Sequence, residues 1–137
     1  MPVFGHNLEK SARTFLSLIG SGDVDRVMEM CADDIAYIDS LGIEVRGRAE
    51  VAQLLGTMRD MGLQLMMYPE KFRRFRDEVY VSGHFTGNDP RFNARCEWRL
   101  RFRGKKVVEY QTSRPDHPPS IVNILNNFAE RERKSES

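Results

Sequence analysis

Strict alternation of apolar and polar residues between positions 92 and 103 constrains the fold of this chain more than any other feature. A repeat of two residues is the period of a β-strand, whose successive side chains point to opposite faces of a sheet. The apolar and polar sets are Phe92, Ala94, Cys96, Trp98, Leu100 and Phe102 against Asn93, Arg95, Glu97, Arg99, Arg101 and Arg103. The pattern predicts a long strand with an apolar face in the core and a basic face turned outward.

Helical patterns dominate the first half of the chain. Apolar residues recur at three- and four-residue steps within residues 7–20, 24–32 and 48–61. Asn7 and Asp23 stand at the start of the first two patterns, where their side chains can accept hydrogen bonds from the first helical turn. The sequence therefore predicts three helices, each with one buried face.

Strand patterns follow the helices. A short strand over residues 35–39 separates the second helix from the third, and Asp33-Asp34 before it is predicted as a turn. Further strands are predicted at residues 63–68, with a break or bulge at Pro69, and at 72–76, 79–86 and 107–112, with a loop at 87–90. Helices followed by antiparallel strands predict an α+β fold, with the helices on one face of a curved, mainly antiparallel sheet.

Composition indicates a soluble globular protein. The 137 residues suffice for a single domain with a core, and 40% of them are hydrophobic and 30% charged. No run approaches the roughly 20 apolar residues that cross a bilayer, and the first residues lack the layout of an export signal, so we expect a cytoplasmic protein with Cys31 and Cys96 as reduced thiols. The sequence has neither metal-ligand spacing nor a nucleotide-binding glycine motif, so we expect no metal and no cofactor.

The stretch from Gly22 to Val51 carries the residues of a family resemblance. A Gly-Asp pair opens a helix, Ala-Asp-Asp precedes a short strand that ends in Asp, and Arg-Gly-Arg opens the next helix. The matching residues are Gly22, Asp23, Asp25, Ala32, Asp33, Asp34, Asp39, Arg46, Gly47 and Arg48. This order resembles the SnoaL-like branch of the nuclear-transport-factor-2-like superfamily, to which SnoaL-type polyketide cyclases and ketosteroid isomerases belong.

The resemblance extends from about residue 8 to residue 114 and implies a single SnoaL-like domain. Its fold would be a cone-shaped, cystatin-like roll, in which three helices and the concave face of the sheet enclose an apolar pocket. Residues 115–137 follow as a C-terminal extension with a short amphipathic helix and a frayed tail. The same fold serves enzymes, carriers and dimerisation modules, so the resemblance does not by itself identify a reaction.

Asp39 is the main candidate for chemistry. Strand parity puts Tyr37 and Asp39 on one face, and a carboxylate inside an apolar cone becomes a better proton acceptor because burial raises its pKa. Asp39 also falls on the position of the family's proton-transferring aspartate, so the resemblance implies a general base. The alternative is structural: Asp39 ends a strand and hydrogen-bonds to backbone amides in the turn at residues 40–42.

Other pocket positions depart from the ketosteroid isomerase pattern. That enzyme combines an aspartate base with an oxyanion hole made of a tyrosine and a protonated aspartate, and the corresponding positions here hold Phe15 and Trp98. Phe has no donor and Trp has one neutral N–H, which argues against the standard isomerase reaction. His84 is a second acid–base candidate, with a hydrogen-bonded wall or surface residue as the alternative. The residues expected to line the pocket are Phe15, Tyr37, Met58, Cys96 and Trp98.

Basic residues cluster in the strands, where residues 71–106 hold eleven Lys and Arg against four Asp and Glu. Arginines interleaved with aromatic residues are typical of nucleic-acid binding. In the long strand, however, the arginines lie on the outer face and Trp98 and Phe102 on the inner face, so they cannot clamp one nucleic-acid strand together. We therefore expect the outer sheet face to form a homodimer interface or to meet solvent, with no membrane or nucleic-acid partner.

The sequence favours two functions, and an anion or nucleic-acid binder, which would show steep salt dependence, is a third class. One is a cofactor-free isomerase or cyclase that acts on a hydrophobic carbonyl compound, polyketide- or steroid-like, through proton transfer by Asp39. The other is a non-catalytic module of the same fold that binds a small hydrophobic ligand or a second subunit. An enclosed pocket that Asp39 reaches would favour the first function, and a collapsed or purely apolar cone would favour the second.

Overall fold

Helices and strands of this chain form two layers. The computed structural model describes residues 7–60, 66–86 and 94–114, and within them the helices pack on one face of a sheet. The helices are α1 (Leu8–Ser21), α2 (Val24–Glu29) and α3 (Arg48–Asp60). The strands are β1 (Cys31–Ile38), β2 (Glu44–Arg46), β3 (Met66–Phe75), β4 (Glu78–Thr86), β5 (Ala94–Arg103) and β6 (Lys106–Ser113). The predicted α+β class is confirmed.

Both predicted helix caps are present. Asn7 Oδ1 accepts a hydrogen bond from Lys10 N at 3.0 Å, and Asp23 Oδ1 accepts one from Arg26 N at 3.3 Å. Between the two caps, α1 ends at Gly22, whose φ of 76° lies in the left-handed region that glycine adopts without strain. Sequence alone thus predicts where the first two helices begin.

The sheet runs in the order β2, β1, β6, β5, β4, β3. Neighbouring strands are antiparallel, except that β1 and β6 are parallel. Their register sets Tyr37 of β1 opposite Tyr110 of β6. Helix α1 packs against β3 at one edge of the sheet, and α3 packs against β1 near the other edge. The two helices therefore cover opposite ends of the inner face.

The second helix is shorter than predicted. It ends at Glu29 rather than near residue 32, and Asp33-Asp34, predicted as a turn, belongs to β1. The backbone carbonyl just before β1 accepts a hydrogen bond from Val107 N at 2.8 Å, and Cys31 pairs with Val107. Because Cys31 pairs with β6, the strand begins earlier in the sequence than predicted. The register of β1 is irregular between Cys31 and Ala36, which accommodates the two exposed aspartates.

A β-bulge interrupts β3 beside Pro69, as the sequence predicts. The two predicted strands on either side of it form one strand, whose register against β4 shifts between Pro69 and Lys71. Opposite the bulge stands Gly83, where a Cβ atom would overlap the carbonyl oxygen of Tyr68. The close approach of these two backbones therefore requires glycine.

The core lies between the helices and the inner sheet face. Alternate residues of β5 are buried, as the sequence predicts, and β4 follows the same pattern. The largest fully buried side chains are Phe15, Leu16, Val27, Ile35, Val79, Val81, Trp98, Leu100, Phe102 and Val107. This core fixes the backbone positions from which the side chains of the site project.

Some sequence predictions concern parts of the chain outside the described residues. They are the strand pattern at residues 63–65, the loop at residues 87–90, the start of the long strand at residues 92 and 93, and the helix and tail within residues 115–137. These remain predictions.

Candidate functional site

An apolar cavity lies between the inner face of the sheet and helices α1 and α3. Its free volume is about 30 Å³, which is room for about two water molecules. The lining residues are Ile19, Tyr37, Val51, Leu54, Leu55, Met58, Met67, Phe85, Trp98, Tyr110 and Thr112. Of these, Leu55, Met58 and Met67 are only partly buried, so they are the lining side chains with most room to move.

Hydrogen-bonding side chains interrupt the apolar lining at Tyr37, Trp98, Tyr110 and Thr112. The Tyr37 hydroxyl and Thr112 Oγ1 lie 3.0 Å apart and are hydrogen-bonded, with either oxygen able to donate. The ring centroids of Tyr37 and Tyr110 are 5.3 Å apart, and Phe15 packs edge-on against Tyr110 at 5.2 Å. The parallel register of β1 and β6 brings these side chains together.

Both tyrosines of the cavity keep their protons at neutral pH. Burial raises the pKa of Tyr37; the hydrogen bond with Thr112 offsets part of this rise, and the charges of Asp39 and Cys96 add to it. Burial likewise raises the pKa of Tyr110 well above its ordinary value, with Tyr37 and Cys96 adding to the rise. A protonated phenol can donate a hydrogen bond, so both side chains are potential donors.

Asp39 directly follows β1 and is buried, with 1% of its surface exposed. Its Oδ1 accepts hydrogen bonds from Leu41 N and Ile43 N, both at 3.0 Å. Asp39 is not among the residues that line the cavity, although its charge acts on Tyr37. The hydrogen bonds of the structural alternative are thus present, and the role of general base stays a prediction.

The residues expected to line the pocket divide into two groups. Tyr37, Met58 and Trp98 line the cavity, whereas Phe15 and Cys96 are buried without lining it. The Phe15 ring packs against Tyr110, which lines the cavity in its place. Cys96 lies on the same face of β5 as the larger Trp98, whose ring reaches the cavity. The expectation for Phe15 and Cys96 is corrected accordingly.

His84 points away from the cavity. It alternates along β4 with buried residues such as Phe85, so its side chain lies on the outer face of the sheet. The imidazole stacks on Tyr68 with centroids 4.8 Å apart, and its Nδ1 lies 3.1 Å from Glu70 Oε2. The other carboxylate oxygen of Glu70 pairs with Arg95. The prediction of a second acid–base group in the pocket is therefore wrong, and His84 is a hydrogen-bonded surface residue.

Sequence reasoning missed Tyr110 and Thr112 as residues of the site. The alternation of these two with Glu109 and Gln111 was the available signal, because it places them on one face of the last strand. Alternation does not show which strand lies beside the last strand, however. The parallel pairing of β6 with β1 places Tyr110 beside Tyr37.

Carboxylates pair with the arginines of β5 on the outer sheet face. Arg99 donates to Glu78 at 2.6 Å and to Glu109 at 2.8 Å, and Arg101 donates to Glu109 at 3.2 Å. Glu78 belongs to β4 and Glu109 to β6, so carboxylates from the strands on both sides of β5 neutralise Arg99 and Arg101. Arg95 and Arg103 pair with Glu70 and Asp34, so all four arginines of β5 have a carboxylate partner.

In residues 7–60, 66–86 and 94–114 no three His, Cys, Asp or Glu side chains come together as metal ligands would. Cys31 and Cys96 form no disulfide there, and burial raises the pKa of the Cys31 thiol to about 11. The helices of the same ranges are all too short or too polar to cross a bilayer.

One family model matches the sequence. The model of the SnoaL-like domain aligns with residues 12–110, which span α1 through most of β6. No curated protein matches the sequence.

Solved structures share the fold at low sequence identity. An uncharacterised cystatin-fold protein from Novosphingobium aromaticivorans gives a TM-score of 0.68 at 17% identity, over 80% of this chain and 100% of that chain. A hypothetical protein with a ketosteroid isomerase-like fold from Catenulispora acidiphila, in complex with trimethylamine, gives 0.65 at 18% identity, over 74% and 82%. An LEH-like epoxide hydrolase of Mycobacterium tuberculosis gives 0.69 at 14% identity, over 88% and 90%. At these identities the matches establish the fold and leave the reaction open.

Proposed function

The chain belongs to the SnoaL-like domain family, and on that basis we propose that it binds a small, largely apolar carbonyl compound in the cavity beside Trp98. The lining of that cavity is the observation that most supports this proposal. Apolar side chains surround a few hydroxyl and N–H groups between α1, α3 and the sheet. In such sites the apolar surface supplies affinity and the polar groups orient the ligand.

Cavity size limits the ligand. A free volume of about 30 Å³ holds about two water molecules, so even a short or cyclic ketone fits only if lining side chains move, and a steroid or a long polyketide needs a far larger rearrangement. Met58 and Met67 are suited to move, because they are partly buried and their unbranched side chains adopt several rotamers. We therefore propose a compact ligand of a few heavy atoms, such as a short or cyclic ketone. The trimethylamine bound to the Catenulispora protein is a molecule of that kind of size.

Proton transfer by Asp39 is the reaction that we propose for such a ligand. The Asp39 carboxylate is buried, it is oriented by two backbone N–H groups, and it is close enough to Tyr37 to influence that phenol. Removal of a proton next to a carbonyl needs a positioned base and stabilisation of the resulting enolate oxygen. Hydrogen-bond donors in the cavity would meet the second need without a cofactor.

A non-catalytic ligand-binding module is the second candidate, and one observation favours it. Asp39 is not among the lining residues, and its Oδ1 is engaged by Leu41 N and Ile43 N. In that case the carboxylate stabilises the turn beside the cavity, and the ligand is bound without being changed.

Exchange of α-hydrogens for deuterium separates the two candidates. The wild-type protein is incubated in D₂O with acetone, cyclopentanone and acetylacetone, while NMR follows both binding and deuterium uptake. If Asp39 is the base, the protein accelerates uptake, and Asp39→Asn reduces the acceleration by about 100-fold or more while binding persists. Equal acceleration by the two proteins removes Asp39 from the reaction, and binding without acceleration favours the non-catalytic module.

Glu97→Gln is the matched control for this experiment. Glu97 is exposed on the face of β5 opposite the cavity, and the substitution makes the same change from carboxylate to amide. It should leave binding and exchange at wild-type levels. If the wild-type protein binds none of the three carbonyl compounds, the proposed function is rejected.

A further inference from the structure

The Tyr110 hydroxyl forms no hydrogen bond with the described residues, and they do not fully enclose its oxygen atom. The residue is buried, with 5% of its surface exposed, and it lines the cavity. Its neighbour Tyr37 carries the same group, but that hydroxyl is hydrogen-bonded to Thr112 at 3.0 Å. The two hydroxyls therefore differ in what they can offer to a molecule in the cavity.

Buried polar groups in native proteins nearly always bond to protein, to ordered water or to a ligand. Within the described part of the chain, the rings of Phe15 and Tyr37 and the apolar side chains of the lining surround Tyr110. A molecule in the cavity can therefore supply a partner for its hydroxyl. Trp98 lines the same cavity, and its indole N–H can only donate, so an acceptor atom suits both groups.

Neighbouring rings hold Tyr110 in one orientation. Phe15 of α1 packs edge-on against it, with an angle of 76° between the ring planes. Tyr37 contacts it from β1 at a centroid distance of 5.3 Å, and Leu100 lies opposite it on β5. A donor that is held in this way loses little side-chain entropy when a ligand binds.

We propose that Tyr110 donates the hydrogen bond that holds the oxygen atom of the bound ligand, with Phe15 and Tyr37 positioning its ring. This inference rests on the proposed function and deepens it, because it names the group that the ligand must carry: an acceptor oxygen on a compact apolar body. Burial keeps the phenol protonated by raising its pKa, so it donates at physiological pH. If Asp39 removes a proton from the ligand, the same bond stabilises the oxygen on which charge develops.

Tyr110→Phe tests the proposal, because it removes the hydroxyl and keeps the ring. The probe is cyclopentanone labelled with ¹³C at the carbonyl, whose ¹³C resonance and C=O stretching frequency respond to a hydrogen bond at the oxygen. In the wild-type protein we expect a downfield resonance and a lowered frequency relative to the probe in an apolar solvent. Tyr110→Phe should abolish both shifts and weaken binding by about fivefold.

Tyr80→Phe is the control, because it removes a tyrosine hydroxyl that lies outside the cavity, on the exposed outer face of the sheet. The carbonyl shifts of the bound probe should persist in this variant.

The outcomes separate the proposal from the function on which it rests. Shifts that are present in the wild type and absent only in Tyr110→Phe support the assignment. Unchanged shifts in Tyr110→Phe overturn it, while the proposed function stands. Failure of the wild-type protein to bind the probe overturns both.

A second measurement covers the case in which Tyr110→Phe does not fold. Wild-type protein labelled with ¹³C at tyrosine Cζ gives one resonance per tyrosine, and that of Tyr110 is assigned by elimination with Tyr37→Phe, Tyr68→Phe and Tyr80→Phe. The Tyr110 resonance should move when the probe is added. If it stays in place while the probe binds, the assignment is overturned.

Discussion

A single carboxylate joins the turn after β1 to the neighbourhood of the cavity. Asp39 Oδ1 accepts hydrogen bonds from Leu41 N and Ile43 N, and the same carboxylate raises the pKa of Tyr37. A substitution at this residue therefore acts on stability and on the properties of the cavity together. Two variants that differ in hydrogen-bonding capacity can separate these effects.

Asp39→Ala should destabilise the protein by about 2 kcal/mol, because it leaves two backbone N–H groups of the turn without their acceptor. Asp39→Asn should cost less, since an amide oxygen can still accept both hydrogen bonds. Urea unfolding of the two variants measures the difference. Equal losses would mean that the charge of the carboxylate, rather than its acceptor atom, stabilises the turn.

Alternation within a strand predicts which residues share a face, and at single residues it succeeds or fails for identifiable reasons. It predicts Tyr37 and Trp98 as inward-facing, and both line the cavity. It does not reveal that Tyr110 meets Tyr37, because that contact depends on which strands pair across the sheet. For His84, the apolar residues that alternate with it were the better guide, since they mark the buried face.

At the scale of elements, the bulge in β3 decides which groups meet on the outer sheet face. The extra residue, Glu70, contacts both His84 and Arg95. Gly83 of β4 makes this arrangement possible, because the backbone of β3 comes too close for a side chain there. One glycine thus controls the packing of two strands.

Gly83→Ala should destabilise the protein by about 2 to 3 kcal/mol, because the new Cβ overlaps the backbone of Tyr68, which cannot move aside as a side chain can. Gly56→Ala is the matched control. Gly56 lies inside α3, and the nearest atom to its added Cβ would be on Arg59 at 3.7 Å, so we expect a gain of about 0.5 kcal/mol. Thermal and urea unfolding measure both changes. A neutral Gly83→Ala would show that the two strands can separate at little cost.

The charge cluster of β4, β5 and β6 should make stability depend on pH. Burial acts to raise the pKa of Glu109, but hydrogen bonds from Arg99 and Arg101 outweigh it and hold the pKa below its ordinary value. Such a carboxylate stabilises the fold above its unfolded pKa, and this contribution is lost as the pH falls through its folded pKa. Wild-type stability should therefore fall between about pH 5 and pH 3.

Glu109→Gln should flatten this fall and lower stability at pH 7 by about 1 kcal/mol or less. Urea unfolding at a series of pH values measures both effects. Glu97→Gln on the same sheet face is the control, since Glu97 forms no ion pair with the described residues, and it should keep the wild-type slope. A wild-type slope in Glu109→Gln would assign the pH dependence to other carboxylates.

Element types could be predicted from the sequence, whereas one boundary could not. Periodicity and caps predicted α1, α3 and β5 closely. The apolar stripe continues to Cys31 and so predicts too late an end for α2, because Cys31 already pairs with Val107 in the sheet. Local pattern gives way here to a contact between distant parts of the chain.

At the scale of the whole molecule, the outer sheet face combines paired charges with exposed aromatic rings. Tyr68, Phe75 and Tyr80 are all exposed, beside the cluster around Arg99. Aromatic residues and arginine are enriched in protein interfaces, and we expect a homodimer through this face.

Sedimentation equilibrium should give the mass of two chains for the wild-type protein. Tyr80→Lys should shift the equilibrium toward the monomer, because it replaces an interface ring by a cation near Arg99. Ser17→Lys on exposed α1 surface is the control and should leave the dimer intact. A monomeric wild-type protein at all concentrations would refute the expectation.

Parallel pairing of β1 with β6 joins two strands that lie far apart in the sequence, so the cavity is completed late in synthesis. The hydrogen-bonded pair Tyr37 and Thr112 is separated by 75 residues, which a ribosome adds in about 4 to 15 s. Throughout that interval β1 and the apolar faces of the first helices have been made, but the strand that completes the cavity has not. We therefore expect the apolar faces of the nascent chain to stay exposed, and open to aggregation, until residues 106–113 emerge.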